Sequence, residues 1–498
     1  MRVTIAARRS ELARIQAYLV GETLRKAHPN VCIEYSFHES LGDRNQTDPL
    51  WQMPEKGVFT QDLRDGLIAG QFDLAVHSWK DLAIEENSQT KIVATLPRAD
   101  MRDLLLVRGG RWDGVNHTRR LRILTSSPRR SYNLEEFLPQ VLPAKLDTLE
   151  FVPVRGNVPT RVQKMWHPDV DGLVVAKAAL DRLLETERAE FADTSADLRQ
   201  ALSECRWMVL PLSANPAAPG QGALAIESKR ERKDLQDLLA TINCAETFQT
   251  VVREREILSA FGGGCHQKIG VSVLHRAYGE ITSLRGVAED GAVLSNYSLY
   301  SSRPQPPRVF RDQMWPLEPS QADWFAREKI PVTIPDRAAA FWISKAEALP
   351  ENVQLSPSQI VWVSGVQTWR RLAQRGVWVN GCAESLGEQE DPQLKNLSSP
   401  ERDWFKLTHA EGCAENGMRA LATYRLIPKH DDPQLRNKTY FFWSSGSGFE
   451  RALALNPWLK QMTHFCGPGN TQRILGRNGV QPFIFLNHAQ WLQEIGLS

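Results

Sequence analysis

Along residues 1–200 the apolar positions form short continuous runs that alternate with stretches of helical spacing. Apolar runs bounded by turn residues indicate buried strands, and apolar positions three and four apart indicate amphipathic helices. The predicted strands are 3–6, 31–36, 73–76, 104–107, 122–124 and 172–175. The predicted helices are 10–26, 59–69, 128–136, 158–164 and 177–184. This alternation predicts an α/β fold with mostly parallel sheets, whose ligands bind at the carboxyl ends of the strands.

Stretches rich in proline and glycine divide the rest of the chain. Asn215–Gly222 is predicted as a hinge or boundary, and Ser301–Pro307 is the best linker candidate. Between them lies a smaller unit with a helix, 245–261, followed by strands. Beyond the linker tryptophan becomes frequent, and the strand–helix pattern resumes around 341–382 and 439–486. We therefore expect a separate C-terminal α/β region of two similar halves.

Composition narrows the class of protein. A chain of 498 residues is too long for one core, so three or four domains are expected. Lys+Arg 60 against Asp+Glu 58 gives a net charge of +2, which argues against a nucleic-acid binder. No apolar run reaches the length of a membrane span, and residues 1–7 resemble a strand rather than a signal peptide. The seven cysteines are scattered without CxxC spacing, so we expect no metal site, no disulfide framework and a reducing, cytoplasmic location.

Arginines recur at predicted strand-to-helix turns. Arg129 and Arg130 lie in the first turn of a helix that follows Ser126 and Ser127, and further arginines flank the next helix start. A helix N-terminus offers free N–H groups to anions, and arginine adds bidentate recognition of carboxylates. A single arginine of this kind is more often a solvated surface residue. The recurrence at three turns favours an anion site for the group.

Two other residues carry possible chemistry. Asp81 directly follows a predicted buried strand. It could be the N-cap of a helix or a general acid/base in a cleft, and the residues alone leave both interpretations open. Cys265 stands behind three glycines on a loop after the helix 245–261. Judged alone it is more often a buried structural cysteine, since a nucleophilic thiolate needs a base or a positive neighbour.

Seven motifs in order resemble the porphobilinogen deaminase, or hydroxymethylbilane synthase, family over residues 1–300. They are Ile5–Ala13, Glu55–Phe59, Ala75–Leu82, Thr125–Arg130, Arg155–Arg161, Pro219–Ala223 and Gly263–Cys265. The resemblance implies two domains like a type II periplasmic binding protein and a small α+β domain that anchors the cofactor. It implies a dipyrromethane cofactor joined by a thioether to Cys265, and Asp81 as the catalytic residue.

The same resemblance implies the binding residues and the domain limits. The residues expected to hold cofactor or substrate are Arg8, Ser10, Lys56, Ser78, Lys80, Thr125, Ser126, Ser127, Arg129, Arg130, Arg155, Gly156, Asn157, Arg161 and Arg182. Lys56 would lie in a mobile loop over the cleft. The expected domains are 1–99 with 203–220, then 100–202, then 221–302 with Cys265, a linker over 303–338, and a C-terminal region over 339–498.

The implied reaction joins four porphobilinogen molecules head to tail on the dipyrromethane primer and releases ammonia and hydroxymethylbilane. Each porphobilinogen carries an acetate and a propionate, so linear polypyrrole intermediates bring many carboxylates into one cleft. This number of carboxylates explains why arginines cluster at a few turns in a chain whose net charge is close to zero. No metal, nucleic acid or membrane is implied, and a monomer is expected. The remaining alternative is an anion-binding protein of type II binding fold, for which Cys265 has no use.

The C-terminal region resembles the uroporphyrinogen-III synthase family more loosely. Phe341–Ser344 and Phe442–Ser447 match its strand–serine turns, while Val363–Thr368 and Phe465–Thr471 match its glycine–threonine turns. The resemblance implies a bifunctional enzyme with Thr471 as a site residue of the second activity. The stretch 308–340 is short for that family's first strand–helix unit. A non-catalytic appendage is the alternative, because folds are shared without function.

Overall fold

The computed structural model describes residues 1–39, 60–111, 120–262, 267–335, 339–399, 401–429 and 435–497. These residues separate into two compact units. The first comprises Met1–Pro139, Lys145–Leu274 and Ser283–Asn296, and the second comprises Gln140–Ala144, His275–Thr282 and Tyr297–Ser498. In the described ranges no helix is both long enough and apolar enough to cross a membrane.

The helices are α1 Glu11–Ala27, α2 Gln61–Ala69, α3 Pro128–Val141, α4 Val158–Lys164, α5 Lys177–Glu185, α6 Ala192–Ser203, α7 Lys233–Ala240, α8 Ala245–Ser259, α9 Val366–Gln374, α10 Gly446–Leu455, α11 Asn470–Arg477 and α12 His488–Ile495. The strands up to residue 301 are β1 Arg2–Arg8, β2 Cys32–His38, β3 Leu74–Ser78, β4 Thr90–Ala94, β5 Asp103–Arg108, β6 Arg120–Leu124, β7 Thr148–Val152, β8 Gly172–Ala176, β9 Cys205–Val209, β10 Leu224–Lys229, β11 Gly270–Arg276, β12 Gly279–Val287 and β13 Val293–Ser301. The later strands are β14 Val309–Phe310, β15 Met314–Trp315, β16 Phe325–Lys329, β17 Ala340–Ile343, β18 Ile360–Val363, β19 Gly381–Cys382, β20 Trp404–His409, β21 Arg419–Pro428, β22 Tyr440–Trp443, β23 Thr463–Cys466, β24 Phe483–Ile484 and β25 Gly496–Leu497.

The first sheet has the strand order β2-β1-β3-β10-β4. β1 is parallel to β2 and β3, whereas β10 runs antiparallel to β3 and β4. Alternate residues of β1 face opposite sides: Val3 and Ile5 pack with α1 and α7, while Ala6 packs with Leu63 and Leu67 of α2. Helices on both faces cover the sheet, as expected for an α/β fold.

The second sheet has the order β7-β6-β8-β5-β9. β6 is parallel to β7 and β8, and β5 runs antiparallel to β8 and β9. Every residue of β8 is buried, and so are all residues of β5 except the last. This agrees with the continuous apolar runs that predicted them, because strands covered on both faces lose the polar alternation.

The chain passes from the second sheet back to the first at a different place from the expected domain boundary. β9, expected in the first domain, pairs with β5 of the second sheet, and β10, expected in the third domain, lies between β3 and β4 of the first sheet. The crossing therefore falls between residues 209 and 224, through the predicted hinge. Strand partners far apart in the chain decide this assignment, and local apolar patterns carry no information about them.

After β10 come α7, α8 and a sheet of order β11-β12-β13. The expected helix 245–261 is observed as α8, which ends at Ser259. Leu258 near its C-terminal end packs with Ile269 and Val271 at the start of β11. The predicted attachment cysteine, residue 265, lies in the sequence between these two packed segments and outside the described residues.

The region beyond residue 303 forms two further sheets, β16-β21-β20-β17-β18-β19 and β15-β22-β23-β24, and β14 pairs with β25. Strands β17 to β20 are mutually parallel, as are all four strands of the second of these sheets. The stretch 303–338, expected as a linker, instead contributes β14, β15 and β16. Its buried Met314 packs with Phe442, Phe465 and Trp491, so this part of the stretch belongs to the C-terminal core.

Candidate active site

A short 3-10 turn, Trp79–Asp81, begins where the buried strand β3 ends. Asp81 is the last residue of this turn, is exposed, and is not the N-cap of a helix. The residue that precedes the turn, Ser78, is held from α1: Gln16 Nε2 donates to its Oγ at 2.9 Å. Trp79 is buried at 1 % exposure. The start of the turn is therefore held in place by its contacts, while the carboxylate of Asp81 is exposed to solvent.

Lys80, in the same turn, lies in a different environment from Asp81. Its Nζ is 3.4 Å from Gln221 Oε1 in the predicted hinge. Burial lowers the pKa of the Lys80 amine to about 8, while the neighbouring Asp81 carboxylate acts to raise it. The hinge packs closely here, since a Cβ on Gly220 would lie 3.2 Å from both Lys80 N and Trp79 Cβ.

The arginine pair at the start of α3 is more buried than a surface pair, with Arg129 at 4 % and Arg130 at 7 % exposure. Arg129 Nη2 donates to Asp103 Oδ2 at 2.8 Å, and Arg130 Nη2 donates to Asp103 Oδ1 at 2.6 Å. Burial alone would raise the pKa of Asp103, yet the two guanidinium groups hold it well below its usual range. Burial also lowers the pKa of Arg129.

The residues before this pair connect α3 to the next arginine turn. Thr125 is buried, and its Oγ1 accepts from Ser127 N at 3.3 Å. Ser126 Oγ donates to the Val154 carbonyl oxygen at 2.6 Å and accepts from Val154 N at 2.8 Å. Because Val154 immediately precedes Arg155, Ser126 fixes the two turns relative to each other.

The turn at 155–161 is built around a helix cap. Asn157 is the N-cap of α4, and its Oδ1 accepts from Thr160 N at 2.9 Å. Gly156 has φ 113°, a conformation that side chains rarely adopt, and its carbonyl accepts from Arg161 Nε at 2.7 Å. Burial is the largest cause that lowers the pKa of Arg161 to about 10. The nearby Arg130 and Arg155 also act to lower it, and Asp81 opposes them.

These electrostatic relations show which predicted residues the fold brings together. Arg161 lies within electrostatic range of Arg130, Arg155 and Asp81. Lys80 lies within electrostatic range of Asp81 and of both arginines of α3. The exposed carboxylate of Asp81 thus lies within electrostatic range of Lys80 in its own turn and of Arg161 from the second sheet. The arrangement can hold carboxylates around a single acidic group.

Other predicted residues take different positions. Arg182 Nη2 donates to the Gly222 carbonyl oxygen at 2.6 Å, so this guanidinium fixes the hinge backbone. Burial lowers its pKa to about 10. Arg8 ends β1, and Ser10 is the N-cap of α1, at the strand end that β1 shares with β3. Cys265 and Lys56 lie outside the described residues, so their roles stay predictions.

Sequence reasoning missed several polar residues that organise the site. Asp103, Asn215 and Gln221 form a buried network under the arginines, and Gln16 supports Ser78. Glu227 of β10 is a further buried carboxylate, 3.1 Å from His77 Nε2 and 2.8 Å from Arg64 Nε. Asp103 and Glu227 could have been found from the sequence, because each is an acidic residue in an apolar strand. A carboxylate buried in this way requires a polar partner.

In the C-terminal region Thr471 lies in the first turn of α11, half-buried. It follows Gly469, whose φ is 95° and whose added Cβ would lie 2.7 Å from Gly387 Cα. Arg473 of the same helix donates through Nη2 to Glu388 Oε1 at 3.1 Å and also pairs with Glu415. The two sheets of this region therefore meet beside Thr471.

Across the described part of the chain, no group of three or more His, Cys, Asp or Glu side chains is placed to hold a metal ion. The expectation of a metal-free site stays a prediction, since residue 265 and its neighbours are not covered.

Residues 3–237 match the sequence profile described as "Porphobilinogen deaminase, dipyromethane cofactor binding domain". The porphobilinogen deaminase of Clostridium novyi (strain NT) is 31 % identical over 301 residues, which covers 60 % of this chain and 92 % of that protein. That of Natranaerobius thermophilus is 32 % identical over 299 residues, covering 58 % and 86 %. That of Syntrophus aciditrophicus is 32 % identical over 283 residues, covering 57 % and 83 %. The residues of the profile match include the arginine turns and Asp81.

Proposed function

The chain belongs to the porphobilinogen deaminase family, with residues 3–237 as its dipyrromethane cofactor-binding domain, and we propose that it makes hydroxymethylbilane from four molecules of porphobilinogen, with release of ammonia. We assign attachment of the dipyrromethane to Cys265 through a thioether. The enzyme is then a transferase of tetrapyrrole biosynthesis. We expect it to act as a monomer in the cytoplasm.

The proposed domains follow the sheets. The first domain carries the first sheet, with β10 and α7 returning to it, and the second domain carries the second sheet with β9. Both are assigned to the type II periplasmic-binding-protein class. The third domain carries α8, Cys265 and the sheet β11-β12-β13, and the C-terminal region begins at β14.

The observation that carries the proposal is one exposed acid among cations: Asp81 lies within electrostatic range of Lys80 and Arg161. The residues fit a dipyrromethane and a porphobilinogen, because both carry acetate and propionate groups that guanidinium donors recognise. Arg130 supports the fit, since its Nε is buried and has no partner among the described atoms. Such an N–H is expected to meet an acceptor when a ligand is bound.

Each residue then has a definite task. When bound, the dipyrromethane supplies the free α-carbon to which the first pyrrole is joined. Asp81 stabilises positive charge that develops on a pyrrole nitrogen as the C–N bond breaks and the protonated amine leaves as ammonia. It then takes up the proton that the α-carbon loses when the new C–C bond forms. Arg155, Arg161 and Lys80 hold the carboxylates that orient the substrate. Ser126 and Asn157 keep the two arginine turns in place.

Intact mass of the purified full chain tests the proposal. The mass should exceed the sequence mass by one dipyrromethane, and Ehrlich's reagent should colour the protein. The variant Cys265→Ser should lose both signals, whereas Cys32→Ser, which replaces an exposed cysteine of β2, should keep them. An unmodified parent chain from a host that makes porphobilinogen would contradict the proposal and favour the anion-binding alternative.

A second candidate function concerns the C-terminal region, which we propose to be a uroporphyrinogen-III synthase that makes the chain bifunctional. The specific support is the close approach of Gly387 and Gly469 next to Thr471, where two glycine-containing turns at strand ends meet. The test is the product isomer formed from porphobilinogen by this chain alone. Uroporphyrinogen III would support the proposal, and isomer I alone would show a non-catalytic appendage.

A further inference from the structure

Asp103 collects four hydrogen bonds on one fully buried carboxylate. Its Oδ2 accepts from Arg129 Nη2 at 2.8 Å and from Asn215 Nδ2 at 2.9 Å. Its Oδ1 accepts from Arg130 Nη2 at 2.6 Å and from Gln221 Nε2 at 2.9 Å. The donors come from the start of α3 and from both ends of the hinge, so this one side chain fixes them relative to each other.

The two arginines differ in the hydrogen bonds that remain to them. Arg129 Nη1 also donates to the Pro216 carbonyl oxygen at 2.6 Å and to Asn215 Oδ1 at 3.2 Å, so the framework holds this guanidinium. Arg130 Nη1 donates to the Val174 carbonyl oxygen at 3.2 Å, and its Nε has no partner in the described part of the chain. Arg130 therefore keeps a buried donor for a further acceptor.

The charge balance of this cluster bears on the proposed reaction. Asp103 offsets one of the two arginine charges, and Gln221 links the same network to Lys80. The proposed product grows by two carboxylates with each added pyrrole. Charge-assisted hydrogen bonds from arginine to carboxylate are among the strongest in proteins. A cluster with two uncompensated arginines would therefore hold each passing carboxylate too firmly.

We propose that Asp103 is a positioning residue for the deaminase reaction: it holds Arg129 in the framework, directs Arg130 toward substrate carboxylates, and limits the positive charge so that the growing chain can advance and leave. The inference rests on the proposed function. Asp103 itself touches no reacting atom and acts through the two arginines.

The first test uses Asp103→Asn in the full chain, which keeps the shape of the side chain and removes its charge. After a limiting pulse of porphobilinogen, a larger fraction of chains should weigh more than the loaded parent by one to three pyrrole units. Release of hydroxymethylbilane should slow by about tenfold, with no rise in KM, because one extra charge-assisted contact delays dissociation. An unchanged mass distribution would overturn the inference.

Asp100→Asn is the matched control. Asp100 is also buried, lies three residues earlier, and pairs with Arg102 and Lys177 instead of the arginines of α3. It should keep the parent mass distribution. An equal increase in the fraction of heavier chains in both variants would mean that loss of any buried charge in this segment has the same effect. Asp103 would then have no particular role.

A second measurement does not depend on turnover. Inorganic phosphate should raise the thermal unfolding midpoint of Asp103→Asn more than that of the parent, because it can pair with the uncompensated arginines. If the variant aggregates on expression, its yield of folded chain should depend on added phosphate, and failure to fold at any phosphate concentration would overturn the inference. A parent without dipyrromethane mass would refute the proposed function, while the phosphate comparison still decides the role of Asp103.

Discussion

Glu254 of α8 accepts hydrogen bonds from both terminal nitrogens of Arg98, each at 2.8 Å. The carboxylate is fully buried and also accepts from Gly220 N at 2.8 Å and Val273 N at 2.9 Å. One side chain thus joins the helix before the predicted cofactor loop to the hinge and to β11. Such a buried pair is fully satisfied, so removal of one member leaves the other charged and unpaired.

We therefore predict that Glu254→Gln lowers the free energy of unfolding by about 3–5 kcal/mol, the range for breaking a buried ion pair. Urea denaturation followed by tryptophan fluorescence measures the change. The control is Glu256→Gln, which removes the exposed pair with Arg253. That change should stay within about 0.5 kcal/mol. Equal losses for the two variants would contradict the role given to Glu254.

The hydrogen bond between Gln16 and Ser78 predicts a different kind of effect. Gln16→Leu keeps a similar volume but leaves Ser78 Oγ without its donor from α1, so the turn that carries Asp81 loosens. We expect turnover to fall about tenfold, since small displacements of catalytic groups are costly. The free energy of unfolding should fall by only about 1 kcal/mol, the value of one hydrogen bond. Steady-state kinetics and urea denaturation measure the two quantities.

Gln61→Leu serves as the control for this prediction, because Gln61 makes an exposed hydrogen bond to Asp65 on α2. It should leave turnover and stability near parent values. A Gln16→Leu variant with parental turnover would show that Ser78 and Asp81 keep their positions without α1.

The site shows which features a sequence can predict. Helix α4 has the predicted limits Val158–Lys164, because its cap residue Asn157 and its apolar spacing are local. The partner of Arg129 was not predictable in the same way. Asp103 lies 26 residues earlier in the chain, and only the folding of the second sheet brings the two side chains together. Strand β15 is two residues long, and Met314 is buried there by tertiary contacts that no local pattern reveals.

The lowered pKa of Lys80 predicts a pH dependence of substrate binding. The amine of Lys80 titrates at about 8 in the folded chain, against 10.5 when free, because burial disfavours the ammonium. If the ammonium holds a substrate carboxylate, KM for porphobilinogen should rise above pH 8, by up to about tenfold per pH unit. Lys80→Arg keeps the charge and should remove this rise. Initial rates between pH 7 and about 9.5 measure it.

Unfolding does not account for that loss of affinity. Between pH 8 and 10.5 the unfolded chain binds more protons at Lys80 than the folded chain does, so this group makes stability rise with pH in that window. Thermal unfolding at the same pH values should confirm that Lys80 does not destabilise the fold there. A KM profile that is identical in Lys80→Arg and in the parent would exclude Lys80 as the titrating group.

The contact between the two sheets of the C-terminal region predicts a local change in dynamics. Arg473 of α11 pairs with Glu388 and Glu415, which follow β19 and β20 in the other sheet. Removing it in Arg473→Ala leaves Glu388 with Lys406 at 2.6 Å and takes away both ion pairs that Arg473 makes with the other sheet. We expect faster amide hydrogen exchange in 384–390 and 411–417, measured by mass spectrometry, because local opening costs less free energy there.

Arg477→Ala is the matched control on the same helix. Arg477 is 72 % exposed, and its Nη2 lies 3.9 Å from Glu415 Oε1, so its contribution should be small. Exchange in both segments should stay at the parent rate. If the bifunctional proposal is correct, Arg473→Ala should also lower the fraction of uroporphyrinogen III without slowing consumption of porphobilinogen, because the deaminase residues are unchanged. Equal exchange in the two variants would show that backbone contact at Gly387 and Gly469 holds the sheets together without the ion pairs.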